Sequence, residues 1–164
     1  MNVFASDECP IRSAVVLDDK RLVKMILESA QMLGTVFNEH GVEHPYKLGA
    51  GHANHPCTIW VRTAFGNVEW LMAHTCALEL EYQRRYERSH RSFRTLPEAF
   101  DRFCRVTTQR AAMTTPANVA RNARLGLDFT MYEVHYAYRL YLKAKWDLSK
   151  PTWRQVPLIA MPWA

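Results

Sequence analysis

Five polar residues, Lys20, Lys24, Glu28, Gln31 and Thr35, recur at the three-to-four-residue spacing of one helical face. A carboxylate with a lysine one turn before it and an amide about one turn after it has the arrangement of a positioned general base. Lys24 and Glu28 also make an ordinary i,i+4 ion pair, worth a few tenths of a kcal/mol on a surface. Spacing leaves both readings open. On the functional one, Glu28 and Lys24 are catalytic candidates, and Lys20, Arg21 and Gln31 contact phosphate or base.

A second group is His52-Ala53-Asn54-His55-Pro56-Cys57. Two histidines three apart and a cysteine two further on are metal-capable donors, and His40 and His44 lie just upstream. The spacing matches no strong zinc signature, so neither metal nor cofactor is expected. The competing reading places Asn54 and His55 at the start of a helix beginning at Pro56. Free backbone amides and the helix dipole attract phosphate there, with Arg62 assisting from nearly two turns along. His55 thereby joins the catalytic candidates, and Asn54 and Arg62 the phosphate-binding ones. Simple capping and packing is the plain alternative.

The third group is an arginine-rich stretch between residues 84 and 124. Arg84, Arg85 and Arg88 are its leading phosphate candidates, because the planar guanidinium matches phosphate oxygens and stacks on bases. Tyr82, Tyr86 and Phe93 interleave with them, as in stacking surfaces for nucleic acids. A solvated arginine face on an amphipathic helix is the alternative. The formal charge of +5 and pI near 9.2 are compatible with nucleic acid without requiring it. No dinucleotide fingerprint, P-loop or serine nucleophile elbow occurs.

The elements that must position these residues read as helices. Asp18 or Asp19 can cap a helix reaching Phe37, with Leu22, Ile26, Ala30, Leu33 and Phe37 on its apolar face, and Gly41 can stop it. Residues 41–56 read as loop. A second helix is expected from Pro56 to about Arg88, kinked at Gly66-Asn67, with Trp60, Phe65, Val68, Leu71 and Met72 inward. A third fits Pro97 to Met113, with Phe100, Phe103 and Val106 inward. Thr114 to Gly126 reads as a loop or broken helix, and a last helix fits Asp128 to Trp146, carrying Tyr138, Tyr141 and Leu142. Pro151, Pro157 and Pro162 prevent a continuous helix after it, while Trp153 and Trp163 suggest a tail that packs down. Strand signals are weak. The fold expected is all-α, one compact helical domain over residues 1–164 with an irregular C-terminal tail.

Nearly half of the 164 residues are apolar, enough for a real core. No apolar run approaches the roughly 20 residues needed to span a bilayer. The N-terminus carries Asp7 and Glu8 and lacks a basic-then-apolar export pattern. Cys9, Cys57, Cys76 and Cys104 form no close pair, so reduced thiols and a cytoplasmic location are expected.

Three segments carry a resemblance. Leu17-Asp18-Asp19-Lys20-Arg21-Leu22, followed by Glu28 and Gly34-Thr35-Val36, resembles the first helix of the phage pyrimidine-dimer DNA glycosylases of the endonuclease V type. Leu48 to His52 is similar to a glycine-containing loop of that family, and Pro151-Thr152-Trp153 to its C-terminal Pro-Thr-Trp segment. The three matches fall in the same order. Asp19 to Met25 and Asn54 to Trp60 also resemble motifs of a broader set of phage proteins. The resemblance implies a helical domain that binds duplex DNA and displaces a base. The N-terminal amine would attack the sugar C1′, assisted by a glutamate on the first helix, the position of Glu28. Residue 2 is Asn2 where the family has threonine, Leu27 and Gln31 replace arginines beside the glutamate, and additional residues precede the first helix. These differences weigh against carrying over the family's dimer-specific chemistry unchanged.

The reading that follows is a glycosylase-like enzyme on a damaged or modified pyrimidine flipped from double-stranded DNA, with Glu28 as its carboxylate. One rival is a thymine-hypermodification transferase, which would also need a small-molecule co-substrate. The other is a non-catalytic DNA-binding protein.

Overall fold

The computed structural model describes residues 1–155 of the chain. Seven α-helices dominate the described residues: α1 Pro10–Val15, α2 Asp19–Glu39, α3 Ala50–Ala53, α4 Pro56–Thr63, α5 Phe65–Tyr86, α6 Leu96–Val106 and α7 Val134–Ser149. A two-residue antiparallel pair, β1 Arg121–Asn122 and β2 Leu127–Asp128, closes a small hairpin before α7. The fold is all-α, as the helical periodicity predicts. Among the described residues no helix is long and apolar enough to cross a membrane.

Helix α2 is the central element. Asp18 caps it, its carboxylate accepting from the Arg21 backbone N–H at 3.2 Å. Leu22, Ile26, Ala30, Leu33 and Phe37 are all fully buried. Each large apolar side chain taken from water contributes roughly 1.5–3 kcal/mol, which is why this stripe holds α2 against α4, α5 and α6.

The helix expected from Pro56 to Arg88 is two helices. At Ala64 the backbone is extended (φ −148°, ψ 147°). The buried Asn67 side chain bridges the break, donating to the Trp60 carbonyl (2.6 Å) and accepting from the Thr114 backbone N–H (2.8 Å). Trp60 Nε1 donates to the Thr114 carbonyl at 3.1 Å. The segment after α6 is thereby drawn across Gly66, where a β-carbon would collide with the Met113 backbone. That docking is incompatible with a helix α6 reaching Met113, because Ala111 and Thr114 are bonded to α4 and α5 instead. Phe103 is buried against Phe37 and Phe65, whereas Val106 is exposed rather than inward. The last helix starts at Val134, not Asp128, because Leu127 and Asp128 pair with β1 and Glu133 supplies the cap. Tyr138, Tyr141 and Leu142 face inward as expected. Trp153 packs on Trp146, ring centroids 5.5 Å apart, while Pro157, Pro162 and Trp163 lie outside the described residues.

The short helix α1 lies along α5 and has no counterpart in the periodicity reading. His74 of α5 is completely buried beneath it and donates from Nδ1 to the Pro10 carbonyl at 2.9 Å. Among the described residues its Nε2 has no partner, and it is sealed in the core. Protonating Nε2 would leave a cation there without an acceptor, and burial holds the His74 pKa down to about 4.

Two predictions follow from this packing. Protonation of His74 favours the unfolded chain between its ordinary value of 6.5 and its native value. Stability should therefore be full above about pH 6.5 and fall by on the order of a few kcal/mol as pH drops towards 4. His74→Gln should flatten that portion of the urea-midpoint profile; an unchanged slope would contradict the assignment. The second concerns Gly34, where an added β-carbon would sit on the Tyr46 carbonyl and the His44 ring. Alanine favours helix by about 1 kcal/mol over glycine. Displacing a docked backbone segment costs about 1–3 kcal/mol. Gly34→Ala should therefore be net destabilising in urea melts, and a stabilised variant would show that the 42–48 loop is not packed there.

Candidate active site

The site is built around the start of the chain. Residues 2–6 are buried between α2 and α7. The Asn2 backbone nitrogen donates to Glu28 Oε2 at 2.9 Å, and the N-terminal amine of Met1 lies 4.0 Å from Glu28 Oε1. Lys24 Nζ is 3.5 Å from the same oxygen and remains largely exposed. The carboxylate is thus nearly closed off from solvent, with an amine, an amide and a lysine around it.

A tight turn delivers the chain end. The Asn2 side-chain oxygen accepts from the Phe4 N–H at 2.8 Å, and Ser6 N donates to the Phe4 carbonyl at 2.7 Å. Phe4 has φ +44°, a left-handed conformation that costs a bulky residue of order 1–3 kcal/mol unless its surroundings enforce it. Here its ring stacks on Tyr141 at 6.0 Å and tilts against Tyr138 at 6.1 Å. His135 Nδ1 donates to the Ala5 carbonyl (2.8 Å), Arg139 Nε to Ser6 (2.7 Å) and Trp70 Nε1 to Glu8 (2.8 Å). The residues preceding α2 therefore continue into α1 and leave the chain end at Glu28, not displaced from it.

Two further residues lie close enough to the chain end to feel its charge. His55 caps α4, its Nδ1 accepting from the Cys57 N–H at 3.2 Å, which leaves Nε2 as the donor. Burial lowers its pKa first, followed by the positive charge of the N-terminus and then His52. A neutral His55 with an available N–H is suited to hydrogen bonding. The Cys57 thiol is deeply buried, facing the Tyr138 hydroxyl and the Val3 amide, and burial pushes it up to about 12. It is no nucleophile at neutral pH. Among the described residues no group of three or more His, Cys, Asp or Glu side chains is placed to hold a metal ion.

Of the remaining sequence candidates, Lys20 is exposed on the same face, and Gln31 is half-buried one turn beyond Glu28. Thr35 turns away from it: its hydroxyl donates to the Gln31 carbonyl and accepts from Leu48 N. Arg21 is buried and paired with Asp18. Asn54 is exposed at the end of α3, and Arg62 is engaged bidentately by Glu39 at 2.8 and 2.6 Å. Arg85 is a correction. Its side chain is fully buried, bound to Asp19, Glu81 and the Leu17 carbonyl, and cannot reach a phosphate. Arg84 pairs with Glu81 and Gln155, and Arg88 donates to the Tyr82 hydroxyl. Arg85 thus locks the α1–α2 corner to α5. Spacing gave Tyr138 and Tyr141 only a place on the last helix and did not single out Lys145. They lie at i, i+3 and i+7 on one face of α7, a pattern that reads equally well as core.

The family model for pyrimidine dimer DNA glycosylases matches residues 1–94, more than half of the chain. The chain belongs to that family. DNA is its substrate class, and glycosylase-type chemistry on pyrimidines its activity class. No curated protein and no solved structure matches it. The match takes in the N-terminal segment, Glu28 and His55; α6, the hairpin and α7 lie beyond it.

Proposed function

We propose that this protein excises a damaged pyrimidine flipped out of duplex DNA, with its N-terminal amine as nucleophile and Glu28 as the assisting carboxylate. The observation that carries this reading is the 2.9 Å contact between Asn2 N and Glu28 Oε2, with the Met1 amine 4.0 Å from the other oxygen. Either residue, as the first of the mature chain, places its amine beside the carboxylate.

The neutral amine attacks the deoxyribose C1′. As the N–C1′ bond forms, the bond from C1′ to pyrimidine N1 breaks, and its electron pair leaves with the base, which takes up a proton. Glu28 receives the proton released by the amine and offsets positive charge developing on the sugar. Opening of the sugar ring then gives an iminium between the chain end and C1′. Lys24 holds the carboxylate's outer oxygen, and the His55 Nε2–H is available to a base oxygen or phosphate. Burial of residues 2–6 fixes the amine's position, which is where much of the rate advantage of an oriented nucleophile comes from.

Borohydride reduction of the protein with a duplex carrying one cyclobutane pyrimidine dimer tests this. The expected product is a covalent protein–DNA adduct whose peptide mass locates it on the first residue. Glu28→Gln should lower the trapping rate by about 10²–10⁴-fold, the usual worth of a general base. Full activity in Glu28→Gln, or an adduct elsewhere in the chain, sinks the assignment. A heavier thymidine without abasic sites would indicate a transferase, and binding without chemistry a non-catalytic protein.

A further inference from the structure

The hairpin before α7 has a fixed base and a free tip. The Tyr138 hydroxyl donates to the Ala117 carbonyl at 2.7 Å and accepts from Val119 N at 3.3 Å. The Tyr141 hydroxyl donates to the Arg121 carbonyl at 3.1 Å, and Phe129 N donates to the Ala120 carbonyl at 2.9 Å. Ala120 is fully buried. Beyond Asn122 one 3₁₀ turn, Ala123–Leu125, and Gly126 in the left-handed region (φ +65°) reverse the chain. Among the described residues nothing lies within 4 Å of where a Gly126 β-carbon would stand, and residues 123–126 are all exposed.

Leu125 stands on that tip 47% exposed, next to the exposed Arg124 and four residues from the exposed Arg121. A single exposed leucine means little by itself; its place in the fold does. The two tyrosines that hold the hairpin base also seat the chain end. The Phe4 ring stacks on Tyr141 at 6.0 Å and tilts against Tyr138 at 6.1 Å, and the Phe4 N–H is bonded to the Asn2 side chain at 2.8 Å. Burial raises the pKa of the Tyr141 hydroxyl, while a bond to the Asn122 side chain and the charges of Arg21 and Lys24 lower it. The hairpin therefore meets, at one hydroxyl, the field of the lysine that lies 3.5 Å from Glu28. Four residues of chain reach at most about 14 Å, so Leu125 cannot stray further than that from Arg121, whose carbonyl Tyr141 holds.

We propose that Leu125 is a wedge that enters the DNA base stack at the gap left by the extruded nucleotide, with Arg124 and Arg121 meeting the flanking phosphates. Duplex DNA suits both chemistries, because it presents apolar base faces between rows of anionic phosphate. An apolar side chain in the gap keeps the neighbouring bases apart and hinders return of the extruded one. The family match ends at residue 94, so the wedge belongs to the part of the chain outside it. It rests on the reading that a nucleotide is flipped out, but not on the chemistry of the N-terminal amine.

A duplex carrying one tetrahydrofuran abasic analogue beside a 2-aminopurine tests this without turnover, since the analogue has no base to lose. Stacking quenches 2-aminopurine, so its fluorescence reports insertion beside it. The parent protein should raise that fluorescence. Leu125→Ala should abolish the rise and weaken binding roughly 15–50-fold, the worth of burying two to three carbon atoms. Leu125→Met should keep both. Leu80→Ala, which removes a leucine of α5 that is 67% exposed, should change neither. Urea midpoints equal to the parent's confirm that each variant is folded. A rise that persists in Leu125→Ala, an equal loss in Leu80→Ala, or no rise with the parent overturns the wedge. Failure of borohydride trapping would leave a positive result here standing, and a failed wedge would leave trapping untouched, so the two readings fall separately.

Discussion

The rest of the structure is arranged to make one contact possible: the backbone N–H of Asn2 on a nearly buried glutamate. A carboxylate taken out of water is costly unless it is paired and hydrogen-bonded. Glu28 meets that requirement with the chain end and Lys24. The chain end has its own requirement, since five buried residues carry backbone groups that need partners. Asn2, His135, Arg139 and the turn at Phe4 supply several of them. The left-handed Phe4 is the local cost of turning the amine towards Glu28, offset by two tyrosine rings from α7. A terminus that would ordinarily fray is therefore held as firmly as a core segment.

A second set of polar contacts keeps α2 in the register that this contact needs. Asp18 caps the helix, pairs with Arg21 and accepts from Trp146 of α7. Asp19 meets Arg85 of α5, which also binds Glu81 and the Leu17 carbonyl. Buried pairs of this kind are weak evidence for extra stability, yet removing one member typically costs 3–5 kcal/mol. Their effect here is geometric: they pin the first turn of α2 between α5 and α7, and so set where Glu28 and Lys24 stand. The same economy explains the arginines at 84–88. They look like a nucleic-acid surface in the sequence, but Asp19 of α2 and Glu81 turn Arg85 inward, Glu81 also pairs with Arg84, and Arg88 stays exposed.

Much of the helical skeleton was legible in the chain itself. The apolar stripe of α2 is buried residue for residue, because helical periodicity is a local property that packing only has to accept. The cap at Asp18 and the start of α4 at Pro56, with His55 before it, were legible for the same reason. Boundaries failed where distant residues intervened. The α4–α5 break depends on Asn67 reaching Trp60 and Thr114, and the early end of α6 on the docking of 111–114 over Gly66. The hairpin before α7 has strands too short for any alternating pattern to register.

By itself the sequence determined that the protein is helical, that α2 carries a polar stripe, and that Glu28 lies in it within a glycosylase-like motif. Tertiary structure alone decided which members of that stripe stand beside the chain end. Glu28 and Lys24 face the chain end, Thr35 is turned into a loop contact, and Arg85 is sealed in an ion-pair network. The reason is physical. Periodicity records which face of a helix is polar, but whether a charge is solvated, neutralised or set beside an amine depends on what other segments bring to it. Here the decisive partner is residue 2, twenty-six positions from Glu28, and its approach depends on side chains of α7 more than a hundred residues further along.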